Sequence, residues 1–298
     1  MARQGPRTWA WAAMAVAAGA QVYATRRYFK TAPGPAAFIH EDLRTAWTPA
    51  WREMLTGVHW MRLRRSPVYR GEGVPRGDGS PVVLVQGFLT RPIYLQTLRG
   101  WLERLGYRVR IADVGWNADC YDVLADRARA EVESFRGGDA AQRVHLVGHS
   151  LGGVLARAVA ALAPQLVGSV ATLATPFRGL RVHPTLRLSN LVARAVVHRR
   201  RGASVFPECM TFACQCATVR ALAAPLPARL PQLAVSARGD GVADWRYEAD
   251  PATTRVVEVE SSHLGVVFEP AVYEALARHL AAATAAVRAR GATGSVAS

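Results

Sequence analysis

Residues 144–153 read Val-His-Leu-Val-Gly-His-Ser-Leu-Gly-Gly, an apolar run ending in a Gly-x-Ser-x-Gly turn centred on Ser150. The run 144–147 suits a strand buried on both faces. The stretch that follows, 151–163, is rich in Ala and Leu, reads as a helix and stops at Pro164. A chain that passes from strand to helix in so few residues must turn sharply. Gly148 and Gly152 lack a Cβ, so strand and helix can close on that turn and lift the serine hydroxyl clear of the sheet edge. A glycine-rich turn with an idle serine would carry the same letters. Partners elsewhere in the chain have to decide between the two.

The flanking sequence alternates strand and helix patterns from Pro81 onward. Strand-like runs at 82–86, 107–112, 144–147, 167–174, 232–237 and 255–259 are separated by helical patterns at 93–105, 120–135, 151–163 and, finally, 270–289. Such alternation predicts an α/β fold, a mostly parallel sheet with helices on both faces. The stretch 176–230 interrupts it and is too long for an ordinary connection. It contains a helical pattern at 186–198, Arg199-Arg200-Arg201, three cysteines and a proline-spaced run. An insertion there is expected above the strand C-termini, as a lid or cap over the nucleophile. The domain division that follows is 1–30 as a signal or membrane-anchor-like segment, 31–80 as an N-terminal extension, 81–290 as the α/β domain, and 291–298 as a flexible tail.

Composition narrows the partners. The net charge of +15 is uneven: residues 1–76 hold 12 basic and 4 acidic side chains, and residues 177–230 hold 9 and 1. The rest of the chain is close to neutral, so the basic excess lies outside the segments that build the sheet. No nucleic-acid motif accompanies it, which leaves an anionic membrane surface as the expected partner and a solvated face as the alternative. Residues 8–25 carry no charge and lie between Arg3, Arg7 and Arg26, Arg27, Lys30. They read as a secretory signal or a short anchor, giving an exported or membrane-associated protein, with a surface helix of a cytoplasmic protein as the other reading. Cys120, Cys209, Cys214 and Cys216 complete no zinc-ligand spacing. In an exported protein Cys209 is able to pair with Cys214 or Cys216, leaving Cys120 as a thiol.

A serine hydroxyl attacks only when a base removes its proton, and the base needs an orienting carboxylate. On this architecture both are expected downstream, acid before base. Of the histidines beyond the resumed alternation, His279 falls within the last helical pattern, as a surface or packing residue. His263 follows strand 255–259 on a loop and is the base candidate. Asp240 stands immediately after strand 232–237 and is the acid candidate; Asp244 is its rival, as a solvated turn residue or a cap. The oxyanion of an acyl-transfer intermediate needs two N–H donors. Leu151 at the helix start offers one and Phe88, in the loop after the first strand, the other, with Gln86 placed to buttress that loop.

At these residues the chain resembles the α/β-hydrolase fold, and within it the bacterial triacylglycerol lipase-like group. The matching pieces are Val-Gln-Gly-Phe-Leu at 85–89, Gly-His-Ser-Leu-Gly-Gly at 148–153, Ala-Thr-Pro at 174–176, Arg-Gly-Asp-Gly-Val-Ala-Asp-Trp at 238–245 and Ser-Ser-His-Leu-Gly at 261–265. The resemblance covers about 81–290; residues 1–75 lie outside it. It implies Ser150 as nucleophile, Asp240 as acid, His263 as base, and Phe88 and Leu151 at the oxyanion hole. Gln86 departs from the His or Pro usual before that glycine. The expected activity is hydrolysis of carboxylic esters, acyl-lipid esters among them, through an acyl-enzyme, with no cofactor or metal required. An acyltransferase or thioesterase would use the same residues. A non-catalytic membrane-associated scaffold would be expected to lack one of them.

Overall fold

The computed structural model describes residues 50–138, 141–177, 184–201, 214–249 and 254–294. Six strands, β1 (Pro81–Val85), β2 (Arg108–Ile111), β3 (Val144–His149), β4 (Val167–Leu173), β5 (Gln232–Ala237) and β6 (Arg255–Val259), form one sheet in the order β2-β1-β3-β4-β5-β6. Every pairing is parallel. β1 shows why a short apolar run makes a central strand. All five of its residues are buried, with Val82 and Leu84 entering one core and Val83 and Val85 the other. The two-residue period of a strand sends successive side chains to opposite faces, so both faces must be covered.

Helices α2 (Gln96–Leu105) and α7 (Pro270–Gly294) cover one face; α3 (Tyr121–Arg136) and α4 (Leu151–Leu162) cover the other. Leu98, Trp101, Leu102 and Leu105 of α2 recur at helical spacing and are all buried. Gly106 then ends α2 in the left-handed conformation, φ 104°, donating its N–H to the Glu103 carbonyl. After β1 the chain crosses to β2 on one side and returns to β3 on the other. The crevice at that switch, between the carboxyl ends of β1 and β3, is where open parallel sheets bind ligands.

Two stretches outside the strand–helix alternation are also described. Residues 50–70 form a 3₁₀ segment (Ala50–Leu55), helix α1 (Thr56–Arg65) and a helical turn (Pro67–Arg70). Leu63 of α1 is fully buried in the same cluster as Trp101 and Tyr273, and the Trp101 indole donates to the Val68 carbonyl at 2.9 Å. The N-terminal residues therefore share the main core. Within 176–230, the helical pattern appears as α5 (Pro184–Arg201), and a seven-residue helix, α6 (Ala217–Ala223), follows, too short to show a period.

His279 of α7 is buried, and its Nε2 has no hydrogen-bond partner among the described residues. Burial, aided by nearby His145 and Arg255, pushes its pKa down to about 3. A histidine depressed in the native state contributes fully above its unfolded pKa of ~6.5 and loses that contribution as pH falls towards the native value. In urea denaturation, His279→Leu is therefore expected to gain on the wild type as pH falls from 7.5 to 5.5, by up to ~1.4 kcal/mol per pH unit. A stability difference that ignores pH would contradict this.

Candidate active site

Ser150 sits at the end of β3 with φ 53° and ψ −127°, a conformation that a side-chain-bearing residue rarely adopts. Its N–H donates to the Leu173 carbonyl and its own carbonyl accepts from Gly153 N–H, both at 2.9 Å, so neighbouring structure enforces the strain. A Cβ on Gly148 would lie 2.3 Å from the Gly152 carbonyl oxygen. One on Gly152 would lie 2.1 Å from that of Val85. Only glycine lets β1, β3 and α4 converge here. Ser150 makes no side-chain hydrogen bond among the described residues.

The downstream loops bring acid and base together. Asp240 Oδ2 lies 2.5 Å from His263 Nδ1, and both residues are buried. The other Asp240 oxygen, Oδ1, accepts from Val242 N–H and Ala243 N–H at 2.7 Å each, which fixes the carboxylate plane. Burial opposes ionisation of Asp240, but the His263 imidazole and hydrogen bonds to the carboxylate outweigh it and hold the pKa below the usual carboxylate range. Burial likewise opposes a charged His263, yet Asp240, reinforced by Glu53, raises its pKa above the ordinary histidine value. Asp244 is not part of this pair. Its carboxylate caps the 3₁₀ turn Trp245–Tyr247 and pairs with Arg246 at 2.6 Å, in a buried and not a solvated position.

The loop after β1 abuts Ser150: a Cβ on Gly87 would lie 3.2 Å from Ser150 Cβ. Phe88 and Leu151 both pack, half-buried, against the cluster formed by Tyr121, Val154 and Val219. Gln86 buttresses the loop, its Nε2 donating to the Thr90 carbonyl at 2.9 Å and the Gly115 carbonyl at 2.6 Å.

Several site residues lay outside the sequence reading. Tyr94 Oη accepts from Gly87 N–H at 2.9 Å and lies 3.0 Å from His149 Nδ1. His149 Nε2 is 2.9 Å from the His263 carbonyl oxygen, and the two imidazole rings are 4.9 Å apart. A carbonyl only accepts, so His149 is protonated on Nε2 and accepts the Tyr94 hydroxyl on Nδ1. Burial holds His149 neutral, its pKa down to about 3, and pushes the Tyr94 hydroxyl up to about 12. The chain Gly87–Tyr94–His149–His263 thus ties the loop after β1 to the base loop. Glu248 is fully buried beside the acid and accepts from Ala237 N–H at 2.8 Å. Burial, then the Asp240 charge, raises its pKa well above the usual carboxylate range. Glu53, from the N-terminal 3₁₀ segment, reaches the same loops. Glu248, Tyr94 and Glu53 gave no local signal in the sequence.

Asp240, Glu248 and His263 each offer a ligand atom within 4.8 Å of the others. A cation there would have to displace the proton shared by Asp240 and His263 and ionise Glu248, so the donor set suits proton holding better than metal binding. Among the described residues Cys120, Cys214 and Cys216 form no disulfide; Cys209 lies outside them. Residues 8–25 also lie outside them, and no helix among the described residues is long and apolar enough to cross a membrane.

A family model for the alpha/beta hydrolase fold matches residues 140–207. A triacylglycerol lipase of Burkholderia plantarii is 30% identical over 160 residues, covering 48% of this chain and 45% of the relative. One from Pseudarthrobacter phenanthrenivorans is 33% identical over 134 residues, covering 39% and 42%. The chain thus spans less than half the length of these curated relatives. A solved structure described among the metagenome-derived lipolytic enzymes LipS and LipT aligns with TM-score 0.48 at 16% identity, over 71% of this chain and 96% of that one. By its parallel sheet and the model matched across its β3 turn, the chain has the α/β-hydrolase fold, and in sequence it is similar to bacterial triacylglycerol lipases.

Proposed function

We propose that the protein hydrolyses carboxylic esters through an acyl-enzyme on Ser150. The observation that carries this reading is the buried Asp240–His263 pair at the carboxyl edge of the sheet that bears the strained Ser150 turn. His263 Nε2 takes the Ser150 proton as Oγ attacks the ester carbonyl. Asp240 holds Nδ1–H and stabilises the imidazolium. The N–H groups of Phe88 and Leu151 receive the oxyanion, the latter helped by the N-terminal end of α4. As the C–O bond breaks, His263 returns the proton to the departing alcohol. Water, deprotonated by His263, then cleaves the acyl-enzyme and releases the acid. A fluorophosphonate probe is expected to label the wild type at Ser150 and to leave Ser150→Ala unlabelled. Equal labelling of both would overturn the reading.

The acyl-lipid preference draws on the lipase relatives and on one surface. Trp51, Met54 and Val58 are exposed on the 3₁₀ segment and α1, where Arg62, Arg64 and Arg65 are also exposed and no acidic residue occurs on the helix. Apolar side chains beside arginines suit the headgroup region of an anionic bilayer. In flotation assays the wild type is expected to rise with phosphatidylglycerol vesicles and less so with neutral phosphatidylcholine. Trp51→Asp/Met54→Asp is expected to remain at the bottom; unchanged flotation would remove this surface from the proposal. Helices α5 and α6 lie between β4 and β5 in the chain and supply the lid of this reading.

A further inference from the structure

The carboxylate of Glu53 accepts three backbone N–H groups from two loops. Oε1 receives His263 N–H at 2.9 Å and Gly241 N–H at 3.3 Å; Oε2 receives Leu264 N–H at 2.9 Å. His263 is the base of the reading above, and Gly241 is the residue after its acid. A single side chain, 210 residues upstream of His263, therefore spans the acid loop and the base loop. Charge-assisted bonds to two consecutive peptide N–H groups fix the orientation of the backbone that carries the imidazole.

The segment that delivers Glu53 is itself held. Thr56 Oγ1 donates to the Glu53 carbonyl at 2.7 Å, and His59 Nδ1 lies 3.1 Å from Glu269 Oε2, just beyond the base loop. A Cβ on Gly265 would lie 2.8 Å from His59, and one on Gly239 would lie 3.1 Å from the Arg52 guanidinium, so the segment closes on both loops without spare room.

We propose that Glu53 is a positioning residue for the base, an N-terminal clamp that sets the placement of His263 relative to Asp240 and supports the protonated imidazole. The titratable and charged groups packed around His263 are Asp240 and Glu248 after β5, His149 at the end of β3, and Glu53, with Arg52 against Gly239. Burial works against charge on both Glu248 and His149, and Glu53 stands as a further carboxylate whose electrostatic effect on His263 is a raising one. Removing that charge lowers the pH at which His263 takes up a proton. Loosening the loop slows the proton transfers, and misplacement by about 1 Å can cost on the order of 100-fold.

The proposal rests on the ester-hydrolase reading for its kinetic consequence but not for its titration, so two measurements separate them. The imidazole of His263 is titrated by NMR in wild type, Glu53→Gln and Glu53→Asp, with its resonance assigned through His263→Gln. Glu53→Gln is expected to titrate at lower pH than the wild type, and Glu53→Asp, which keeps the charge, closer to it. On p-nitrophenyl butyrate, Glu53→Gln is expected to lose roughly 10- to 100-fold in kcat with KM within about 2-fold. Its acid limb is expected to move to lower pH. An unmoved His263 titration in folded Glu53→Gln overturns the proposal, as does a rate loss that follows only the folded fraction. A shifted titration in a protein that hydrolyses no ester sustains the clamp and removes the hydrolase reading instead.

Discussion

Ser150→Ala is expected to lower kcat/KM on short-chain esters by on the order of 10⁵- to 10⁶-fold, with circular dichroism unchanged. Alanine removes the only atom that forms the acyl bond. It leaves Asp240, His263 and the N–H donors in place, so a small residual rate over water is expected from binding and oxyanion stabilisation alone. The backbone adds a second, independent signature. Ser150 holds φ 53° and ψ −127°, and alanine inherits that strain. Glycine does not, and strain of this kind is worth ~1–3 kcal/mol, partly offset by glycine's greater unfolded freedom. Ser150→Gly is thus expected to be as inactive as Ser150→Ala yet more stable by about 1 kcal/mol in urea denaturation. Equal stabilities would mean that the turn relaxes without the side chain.

Asp240→Asn is expected to lower kcat by on the order of 10⁴-fold with little change in KM. Oδ1 of Asp240 accepts two backbone N–H groups, from Val242 and Ala243, and an amide placed there keeps its carbonyl oxygen on that side. The amide nitrogen then faces His263 Nδ1 and can only donate. Nδ1 becomes the acceptor, the imidazole proton moves to Nε2, and the base no longer has a lone pair for the Ser150 proton. The pH dependence carries the sign of the electrostatics. In the proposed mechanism His263 works neutral, and its pKa in the wild type lies above the ordinary value, so activity is expected to fall as pH drops through that raised value. With the Asp240 charge gone, the residual activity is expected to persist to lower pH. A pH–rate profile that keeps its acid limb in Asp240→Asn would mean that another group governs it.

Much of the site was legible in local chemistry. The Gly148-x-Ser150-x-Gly152 spacing specified the turn because a Cβ added at either glycine would lie 2.1–2.3 Å from a carbonyl oxygen. Asp240 and His263 were legible because parallel strands bring their carboxyl ends to one edge, so residues that follow β5 and β6 must meet. What escaped were contacts with no local pattern. Residues 50–55 have little periodicity, and the 3₁₀ segment there acts through one carboxylate on peptide groups far along the chain. Tyr94 looked like an ordinary helix-start residue, and His149 like one more residue of the Ser150 turn; their hydrogen bonds to Gly87 and His263 exist only once β1 and β3 pair.

By itself, the sequence determined the strand–helix alternation, the turn that carries Ser150, and the chain order of the candidate acid and base. These follow from side-chain period and glycine sterics, which are local. Tertiary structure alone decided the buried contacts around that acid and base: Glu248 beside Asp240, the Nε2–H of His149 on the His263 carbonyl, and the Glu53 carboxylate across two loops. Hydrogen-bond geometry and burial set proton positions, and both depend on which distant residues the folded sheet brings within 3 Å.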